Sequence, residues 1–341
     1  MSNVYRESIS ALDWGEARTV KTGAAPVIVV GHKNPDGDSV MSALAYAYLM
    51  RALGYNVVAR MAGPANKETD FAAKTFGFEL PEVATSVSSE DCLILVDHGD
   101  YAQSVDGARN ARILQVIDHH GIGDIAESRL LYAKYMPVGS CCSIVYTSFR
   151  ELEVEIAPTV ARILLAGLLT DTLNLVKVTC TEVDRMVYNE LVNLLAVADN
   201  ITYHEEWEKI QKIYEGMSRA AKNFDGMTDE EIFDSDAKDY CINGVQFRLG
   251  SMDWDHPETI ECFLDRMLKV MEGRGLMFCR VGYLEHSFIL YNGAPLGSDA
   301  PAFAKNAAES AFGPSLRPGV IYCEHRLSRK LDVVPMLTKV L

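Results

Sequence analysis

Histidines and carboxylates stand where three apolar runs and one apolar helical stretch of this 341-residue chain end. These residues are His32, Asp36, Asp38, Asp97, Asp118, His119, His120 and Asp171. Mixed imidazole and carboxylate ligands suit manganese and similar divalent ions, whereas calcium prefers oxygen ligands alone and structural zinc prefers thiolates. The residue types therefore predict a site for divalent cations.

The spacing of two of these carboxylates indicates more than one ion. Asp36 and Asp38 belong to the segment KNPDGDS, which we interpret as an extended loop in which the two side chains point in different directions. Two ions that share a bridging carboxylate, about 3.5–4 Å apart, would use both residues and could activate water for attack on phosphorus. The alternative is that Asp36-Gly37 is an ordinary turn pair. Four carboxylates gathered without a cation would repel one another strongly, which favours the metal site.

The elements that would bring these residues together alternate between strands and helices. Strands are predicted at 26–31, 56–61, 92–96 and 113–117, with an edge strand at 130–135. Helices are predicted from near Ser39 and at 67–76, 140–152, 158–170 and 181–196. This alternation predicts a parallel sheet, at which residues following the carboxyl ends of the strands meet along one edge. Ser140 is expected either to cap its helix or to donate to a phosphate there.

The composition changes after Asn200, where a charged helical stretch at 201–215 begins. We therefore divide the chain into a domain at 1–195, a linker at 196–207 and a second domain at 208–341. In the second domain, strands are predicted at 241–249, 276–284 and 287–291, with a helix at 257–272. A short helix is also expected at 9–17. The predicted fold class is α/β: a parallel-sheet domain followed by a smaller α/β domain.

Composition excludes several classes of protein. The formal net charge of −15 argues against a non-specific nucleic-acid binder, and no aromatic-rich basic groove is apparent for single strands. We expect no membrane association and a cytoplasmic location, because the sequence has neither a transmembrane-length apolar stretch nor a signal-peptide pattern at its beginning. The eight cysteines include no CxxC pair and are expected to be reduced.

The chain resembles a known family at these same residues. With Asp118-His119-His120 it resembles the DHH phosphoesterases, and it is most similar to the family II, manganese-dependent inorganic pyrophosphatases. The matching segments are GHKNPDGDS, VDHGDYAQSV, IDHHG, PVGS, GLLTDT and SRKLDVVP. The resemblance implies a hydrolase that cleaves pyrophosphate to two phosphates, with its active site in the cleft between an N-terminal DHH domain and a C-terminal DHH-associated domain.

The resemblance also implies roles for individual residues. One metal would be held by His32, Asp36 and Asp97. The second would be held by Asp38, Asp97, His119 and Asp171, so that Asp97 bridges the two. The implied cofactors are two divalent ions, manganese first with magnesium and cobalt as alternatives, and further magnesium with the substrate. A homodimer is implied as well.

Substrate contacts are implied on both domains. His120 would stabilise or protonate the leaving phosphate oxygen, and Asp118 would orient the site. Arg329 and Lys330 would clamp the phosphate groups, since arginine offers phosphate a bidentate fork and lysine a point charge. Ser328 belongs to the same motif. Arg219, with Lys222 as its alternative, is the candidate for a further basic contact.

Departures from the family pattern leave the length of the substrate open. The usual threonine between the two loop aspartates is Gly37, and the asparagine that normally follows Asp97-His98 is Gly99. VGSCCS and DTLNL are similar to exopolyphosphatase segments. The substrate that the resemblance implies is therefore pyrophosphate or a short polyphosphate. The alternatives for the protein are a short-chain exopolyphosphatase, another DHH phosphoesterase, or a catalytically silent protein that binds a phosphorylated ligand.

Overall fold

A computed structural model describes residues 25–127, 130–254, 259–297, 300 and 302–341. The chain divides between Ala221 and Lys222 into two compact units, each with its own sheet. The helix expected at 9–17 lies outside the described residues. Within the described residues, no helix is long and apolar enough to cross a membrane.

The first unit is built on a five-stranded, fully parallel sheet. Its strands are β1 (Val27–Val30), β2 (Val57–Arg60), β3 (Cys92–Val96), β4 (Arg112–Asp118) and β5 (Tyr132–Tyr135), in the order β2-β1-β3-β4-β5. The order reverses between β1 and β3, and open α/β sheets bind ligands beyond the carboxyl ends of their strands at such a point. The predicted strands and the parallel sheet are confirmed.

Helices cover the sheet of the first unit. They are α1 (Gly37–Ala52), α2 (Lys67–Phe76), α3 (Cys141–Glu151), α4 (Pro158–Thr172), α5 (Glu182–Asp199) and α6 (Tyr203–Ala221). Helices α1 and α4 are buried on nearly all sides, as their alanine- and leucine-rich sequences require, and they pack against each other. Cap residues fix the helix starts, as when Asn66 accepts from the Thr69 amide at 2.8 Å.

The second unit has a mixed sheet. Its strands are β6 (Ala237–Ile242), β7 (Val245–Asp253), β8 (Met277–Tyr283), β9 (His286–Asn292) and β10 (Val320–Cys323), ordered β10-β9-β8-β7-β6. Only β7 and β8 run parallel; the other neighbours are antiparallel. The helices are α7 (Asp229–Asp234), α8 (Ile260–Met271), α9 (Phe303–Phe312) and α10 (Val334–Thr338), with a π-helical turn at Arg329–Val333 before α10. The predicted α/β class is confirmed for both units.

Two details of the expected organisation differ. The single strand predicted at 241–249 is wrong, because Asn243 and Gly244 take positive φ angles of 50° and 82° and turn β6 back into β7. Helix α6, which the sequence interpretation divided between the linker and the second domain, packs against α2 and places Ile210 and Met217 in the core of the first unit. The predicted domain boundaries at 195 and 208 stay predictions.

Candidate metal centre

Five elements of the first unit supply the residues that the sequence singled out. His32 follows β1, Asp97 follows β3, and Asp118 is the last residue of β4, directly before His119 and His120. The two loop carboxylates and Asp171 come from α1 and α4. The expectation of an extended loop is wrong: Asp36 is the N-cap of α1, where it accepts from the Ser39 amide at 3.0 Å, and Asp38 lies in the first helical turn.

Asp97 lies between two histidines. Its Oδ2 is 3.4 Å from Nε2 of His32, and its Oδ1 is 3.0 Å from Nε2 of His119. Its backbone has φ 60°, in the left-handed region that aspartate tolerates better than most residues. The side chain is almost fully buried. Burial opposes ionisation, but the electrostatic influence of the two histidines outweighs it, so the pKa of Asp97 lies well below its usual range.

The two histidines turn the same ring nitrogen toward the carboxylates. Nδ1 of His32 lies 2.8 Å from the Lys33 carbonyl, and Nδ1 of His119 lies 2.9 Å from the Val138 carbonyl. A carbonyl can only accept, so Nδ1 carries the proton in each ring. In the neutral imidazole, Nε2 is then a lone pair that faces carboxylate oxygens. Such an arrangement is repulsive unless a proton or a metal cation lies between the two groups.

The carboxylates divide into two groups around Asp97. Asp36 and Asp97 share a cluster with His32, whereas Asp38 and Asp171 share one with His119; in each cluster the candidate ligand atoms lie within 4.8 Å of one another. From Nε2 of His119, the distances are 3.3 Å to Asp171 Oδ2 and 4.0 Å to Asp38 Oδ2. Two adjoining sites that meet at one carboxylate are therefore available.

The pKa of Asp38 is shifted in the opposite direction from that of Asp97. Asp38 lies at the amino end of α3, where Oδ1 accepts from the Ser140 hydroxyl at 2.7 Å and Oδ2 accepts from the Cys141 amide at 2.6 Å. Burial first, and then the charges of Asp97 and Asp171, nevertheless raise its pKa to about 8. A carboxylate that cannot easily hold its charge alone is stabilised by a cation, so the residues fit a divalent ion.

An unpaired buried atom supports the same conclusion. Oδ1 of Asp97 is buried and has no hydrogen-bond partner. Buried polar atoms in native proteins are nearly always paired, so an unpaired carboxylate oxygen needs an explanation such as an ion. The donor set, two imidazole nitrogens and four carboxylates, suits manganese better than calcium or structural zinc.

His120 is held differently from its neighbour. Its Nδ1 lies 2.8 Å from Asp118 Oδ1, and its backbone amide donates to the same oxygen at 3.0 Å. Although Asp97, His119 and His120 also form a cluster with metal-ligand spacing, the Nδ1 that faces Asp97 at 3.7 Å is the atom committed to Asp118. Burial lowers the pKa of His120 to about 4, so the ring is neutral near pH 7, with Nε2 able to take a proton.

Two contacts at the metal centre go beyond what the sequence predicts. Lys177 forms an ion pair with the ligand candidate Asp171, and the sequence gives no motif that marks this lysine. Ser140 is an N-cap, as one of the two expectations held, since it accepts from the Cys142 amide at 3.1 Å. The anion at that helix end is Asp38, so the cap also orients a ligand candidate.

Gly37 is required by a close approach. A Cβ at this position would lie 2.6 Å from Cγ2 and 2.7 Å from Oγ1 of Thr170, the residue before Asp171. We predict that Gly37→Ala lowers the free energy of unfolding of the metal-free protein by about 1–3 kcal/mol, more than alanine gains in helix propensity. Thr170→Ala in the same chain should restore most of the loss. Urea unfolding of the single and double variants measures this; additive effects would contradict it.

The remaining predicted site residues lie elsewhere in the chain. Arg329 donates from Nη1 to the Asp236 carboxylate at 2.7 Å and to its carbonyl at 2.8 Å. Ser328 caps the π-helical turn by accepting from the Leu331 amide at 3.3 Å, and Lys330 is the next but one residue in that turn. Arg219 is exposed in the last turn of α6, within the first unit. Their roles toward a substrate stay predictions.

All eight cysteines are free thiols. Burial and the nearby carboxylates hold the pKa of Cys141 and Cys142 well above its usual range, which makes them poor nucleophiles. Among the described residues, no cluster with metal-ligand spacing includes a cysteine.

Comparisons with known proteins cover both units. Residues 26–168 match the DHH family, N-terminal domain, and residues 215–340 match the DHHA2 domain. The chain is 34% identical over 322 residues to a probable manganese-dependent inorganic pyrophosphatase of Lactobacillus johnsonii, covering 92% of this chain and 98% of that one. It is 31% identical over 317 residues to a protein of the same description from Streptococcus mutans, with the same coverage.

A solved structure is similar over nearly the same length. It is the crystal structure of a putative family II inorganic pyrophosphatase of Methanococcus jannaschii, at 26% identity and a TM-score of 0.76. The alignment covers 92% of this chain and 98% of that one.

Proposed function

The chain belongs to the DHH family and carries its DHHA2 domain, and from this premise we propose that it is a manganese-dependent inorganic pyrophosphatase. It would hydrolyse pyrophosphate to two phosphates. The observation that carries the proposal is the position of Asp97, whose two carboxylate oxygens face Nε2 of His32 and Nε2 of His119 at 3.4 and 3.0 Å. That arrangement suits two ions that share one carboxylate.

The proposed ligands follow from the two clusters. His32, Asp36 and Asp97 would hold one ion, and Asp38, Asp97, His119 and Asp171 the other. When bound there, a pair of divalent ions lowers the pKa of a water and neutralises charge on a phosphoryl group. The α3 amides and the Ser140 hydroxyl keep the Asp38 carboxylate in place for this, and the carbonyls of Lys33 and Val138 fix the ring orientation of the two histidines.

His120 and Asp118 would act together in proton transfer to the leaving group. Asp118 accepts from Nδ1 of His120, which leaves Nε2 as the nitrogen that takes and gives the proton. The isolated ring is neutral, since burial lowers its pKa to about 4. A polyanion such as pyrophosphate beside the ring favours the charged imidazolium, whose Nε2–H can then be donated to the departing phosphate oxygen.

The test is phosphate release by metal-stripped protein titrated with manganese, with pyrophosphate and tripolyphosphate as parallel substrates. We expect manganese-dependent release that is faster from pyrophosphate. Faster release from tripolyphosphate would overturn the substrate and leave a short-chain exopolyphosphatase on the same metal centre. Full manganese binding with no hydrolysis of either compound would overturn the enzyme and favour a silent binder of phosphorylated ligands. A homodimer in the cytoplasm stays a prediction.

Arg329→Ala tests the proposed phosphate contact in the second unit. Removing a bidentate donor to phosphate should raise the KM for pyrophosphate by about tenfold or more, with a smaller change in kcat, because charge-assisted hydrogen bonds contribute about 1.5–3 kcal/mol. The matched control is Arg274→Ala, which removes an exposed arginine paired with Asp234 in the same unit. An unchanged KM would place the substrate away from Arg329; equal losses in both variants would indicate a general effect of charge.

A further inference from the structure

Two buried oxygens without partners lie beside the DHH motif. Asp118 is fully buried; its Oδ1 holds His120, while its Oδ2 has no hydrogen-bond partner. The hydroxyl of Tyr135 is buried and without a partner as well. Leaving a buried acceptor or donor unsatisfied costs about 1–3 kcal/mol, so two such groups in one corner of the fold call for a shared explanation.

The sheet places these residues side by side. Asp118 ends β4 and Tyr135 ends β5, and the two are register partners in the parallel pair. Partners in neighbouring strands direct their side chains to the same face of a sheet. The Met136 amide donates to the Asp118 carbonyl at 3.1 Å, which continues the pairing past the tyrosine and holds this register.

Gly99 lies against both oxygens. A Cβ at this position would lie 3.2 Å from the Tyr135 hydroxyl and 3.3 Å from Asp118 Oδ2, tighter than an ordinary side-chain contact. The backbone of residue 99 therefore encloses this corner together with the side chains of Asp118 and Tyr135. Any side chain here would press on the tyrosine and the aspartate together.

The hydroxyl keeps its proton at working pH. Burial, followed by the charges of Asp118 and Asp100, raises the pKa of Tyr135 to about 12. Asp100 is the competing acceptor, but its carboxylate already receives the Asp124 amide at 3.3 Å and Gln103 Nε2 at 3.4 Å. Asp118 Oδ2 receives no donor. The tyrosine is thus a donor beside an acceptor that lacks one.

We propose that Tyr135 is a positioning residue: its hydroxyl donates to Oδ2 of Asp118 and fixes the carboxylate whose other oxygen orients His120, in a corner that only glycine at position 99 leaves open. Tyr135 acts on the reaction through Asp118 and His120, and touches neither metal nor substrate. The effect on turnover rests on the proposed function; the contact itself does not.

The test is a double-mutant cycle of Tyr135→Phe and Gly99→Ala. With manganese saturating, each single variant should lower kcat for pyrophosphate about tenfold while KM and the manganese requirement stay within twofold, since partners of catalytic groups typically contribute 10–100-fold. The double variant should lose no more than the worse single variant, because both changes break one contact. Tyr132→Phe on the same strand and Gly121→Ala, whose Cβ would meet open space, are controls expected to stay within twofold of wild type.

A second readout keeps the contact testable without turnover. In thermal unfolding of the metal-free protein, Tyr135→Phe and Gly99→Ala should each lower Tm by about 4 °C, again without summing. If the wild type hydrolyses no phosphoanhydride, the proposed function is refuted. Thermal unfolding of the single and double variants then remains as the test of the contact. The proposal is overturned if Tyr135→Phe keeps kcat within twofold of an active wild type, if the two changes multiply, or if Tyr135→Phe couples to Asp100→Asn in place of Gly99→Ala.

Discussion

Asp97→Asn should abolish manganese binding and phosphate release together, with turnover lower by about 10³-fold or more. Metal ions contribute several kcal/mol of transition-state stabilisation, and each 1.36 kcal/mol corresponds to about a factor of ten. Asparagine keeps one oxygen and replaces the other with an amide NH₂. Since the Asp97 oxygens face His32 and His119 separately, one of the two proposed ions would lose its Asp97 ligand whichever way the amide turns, and the neutral amide oxygen would hold the other ion only weakly.

Asp97→Asn is chosen because asparagine preserves the backbone conformation at this position. Asp97 has φ 60°, a conformation that asparagine adopts as readily as aspartate and that most other residues resist. The variant also keeps the shape of a buried side chain. A loss of function in Asp97→Asn can therefore be assigned to the missing carboxylate oxygen, whereas alanine at this position would combine that loss with backbone strain and a cavity.

Manganese binding can be measured without substrate. A ligand that binds only the folded state at 100 times its Kd stabilises it by about 2.7 kcal/mol, so manganese should raise the Tm of wild type by several degrees and that of Asp97→Asn hardly at all. Asp239→Asn, an exposed carboxylate paired with Arg248, is the matched control and should behave as wild type. Loss of turnover with an intact manganese-induced rise in Tm would refute the bridging role of Asp97.

The positions of the candidate ligands could be predicted because they depend on local pattern. Apolar runs typical of buried strands precede His32, Asp97 and Asp118, and parallel strands end at a common edge. That logic needs no knowledge of distant contacts. It succeeds for the sheet, for α2 and β3, whose bounds agree with the prediction to the residue, and for the Ser140 cap.

The environment of each ligand candidate could not be predicted in the same way. Asp38 accepts from the Cys141 amide, 103 positions away, and Asp171 pairs with Lys177 in an irregular loop. Such contacts depend on how α1, α3 and α4 pack, which no window of sequence encodes. The extended conformation expected around Asp38 was wrong for a local reason: the capping bond from the Ser39 amide to Asp36 lets the helix begin two residues earlier than predicted.

The wrong prediction of a single strand at 241–249 could have been avoided from the local sequence alone. Asn243-Gly244 stands between two alternating stretches, and this dipeptide is the strongest short-range sign of a β-hairpin, which a single strand at 241–249 does not account for. In the second unit the weaker periodicity of β10, α9 and the π-helical turn at Arg329–Val333 left all three unpredicted. Antiparallel and mixed sheets with short elements give less pattern per element than a buried parallel sheet does.

His120→Gln should leave manganese bound while turnover falls by about 10²–10⁴-fold, the usual contribution of a positioned general acid or base. Glutamine has a hydrogen-bonding end but cannot take up a proton near neutral pH. Manganese should stay because Nδ1 of His120 is committed to Asp118 at 2.8 Å, whereas His119 turns its Nε2 toward three carboxylates. The manganese-induced rise in Tm and the manganese concentration for half-maximal turnover should therefore match wild type.

Two further variants decide how His120 acts. His204→Gln, on an exposed histidine of α6, controls for the substitution itself and should keep full turnover. Asp118→Asn should slow turnover by itself but add little to His120→Gln, because a residue that acts only through the imidazole has nothing left to orient once the ring is gone. Multiplying losses would give Asp118 a separate role. A higher manganese concentration for half-maximal turnover in His120→Gln would make His120 a ligand, as its 3.7 Å distance to Asp97 allows, and would move the proton donor to another group.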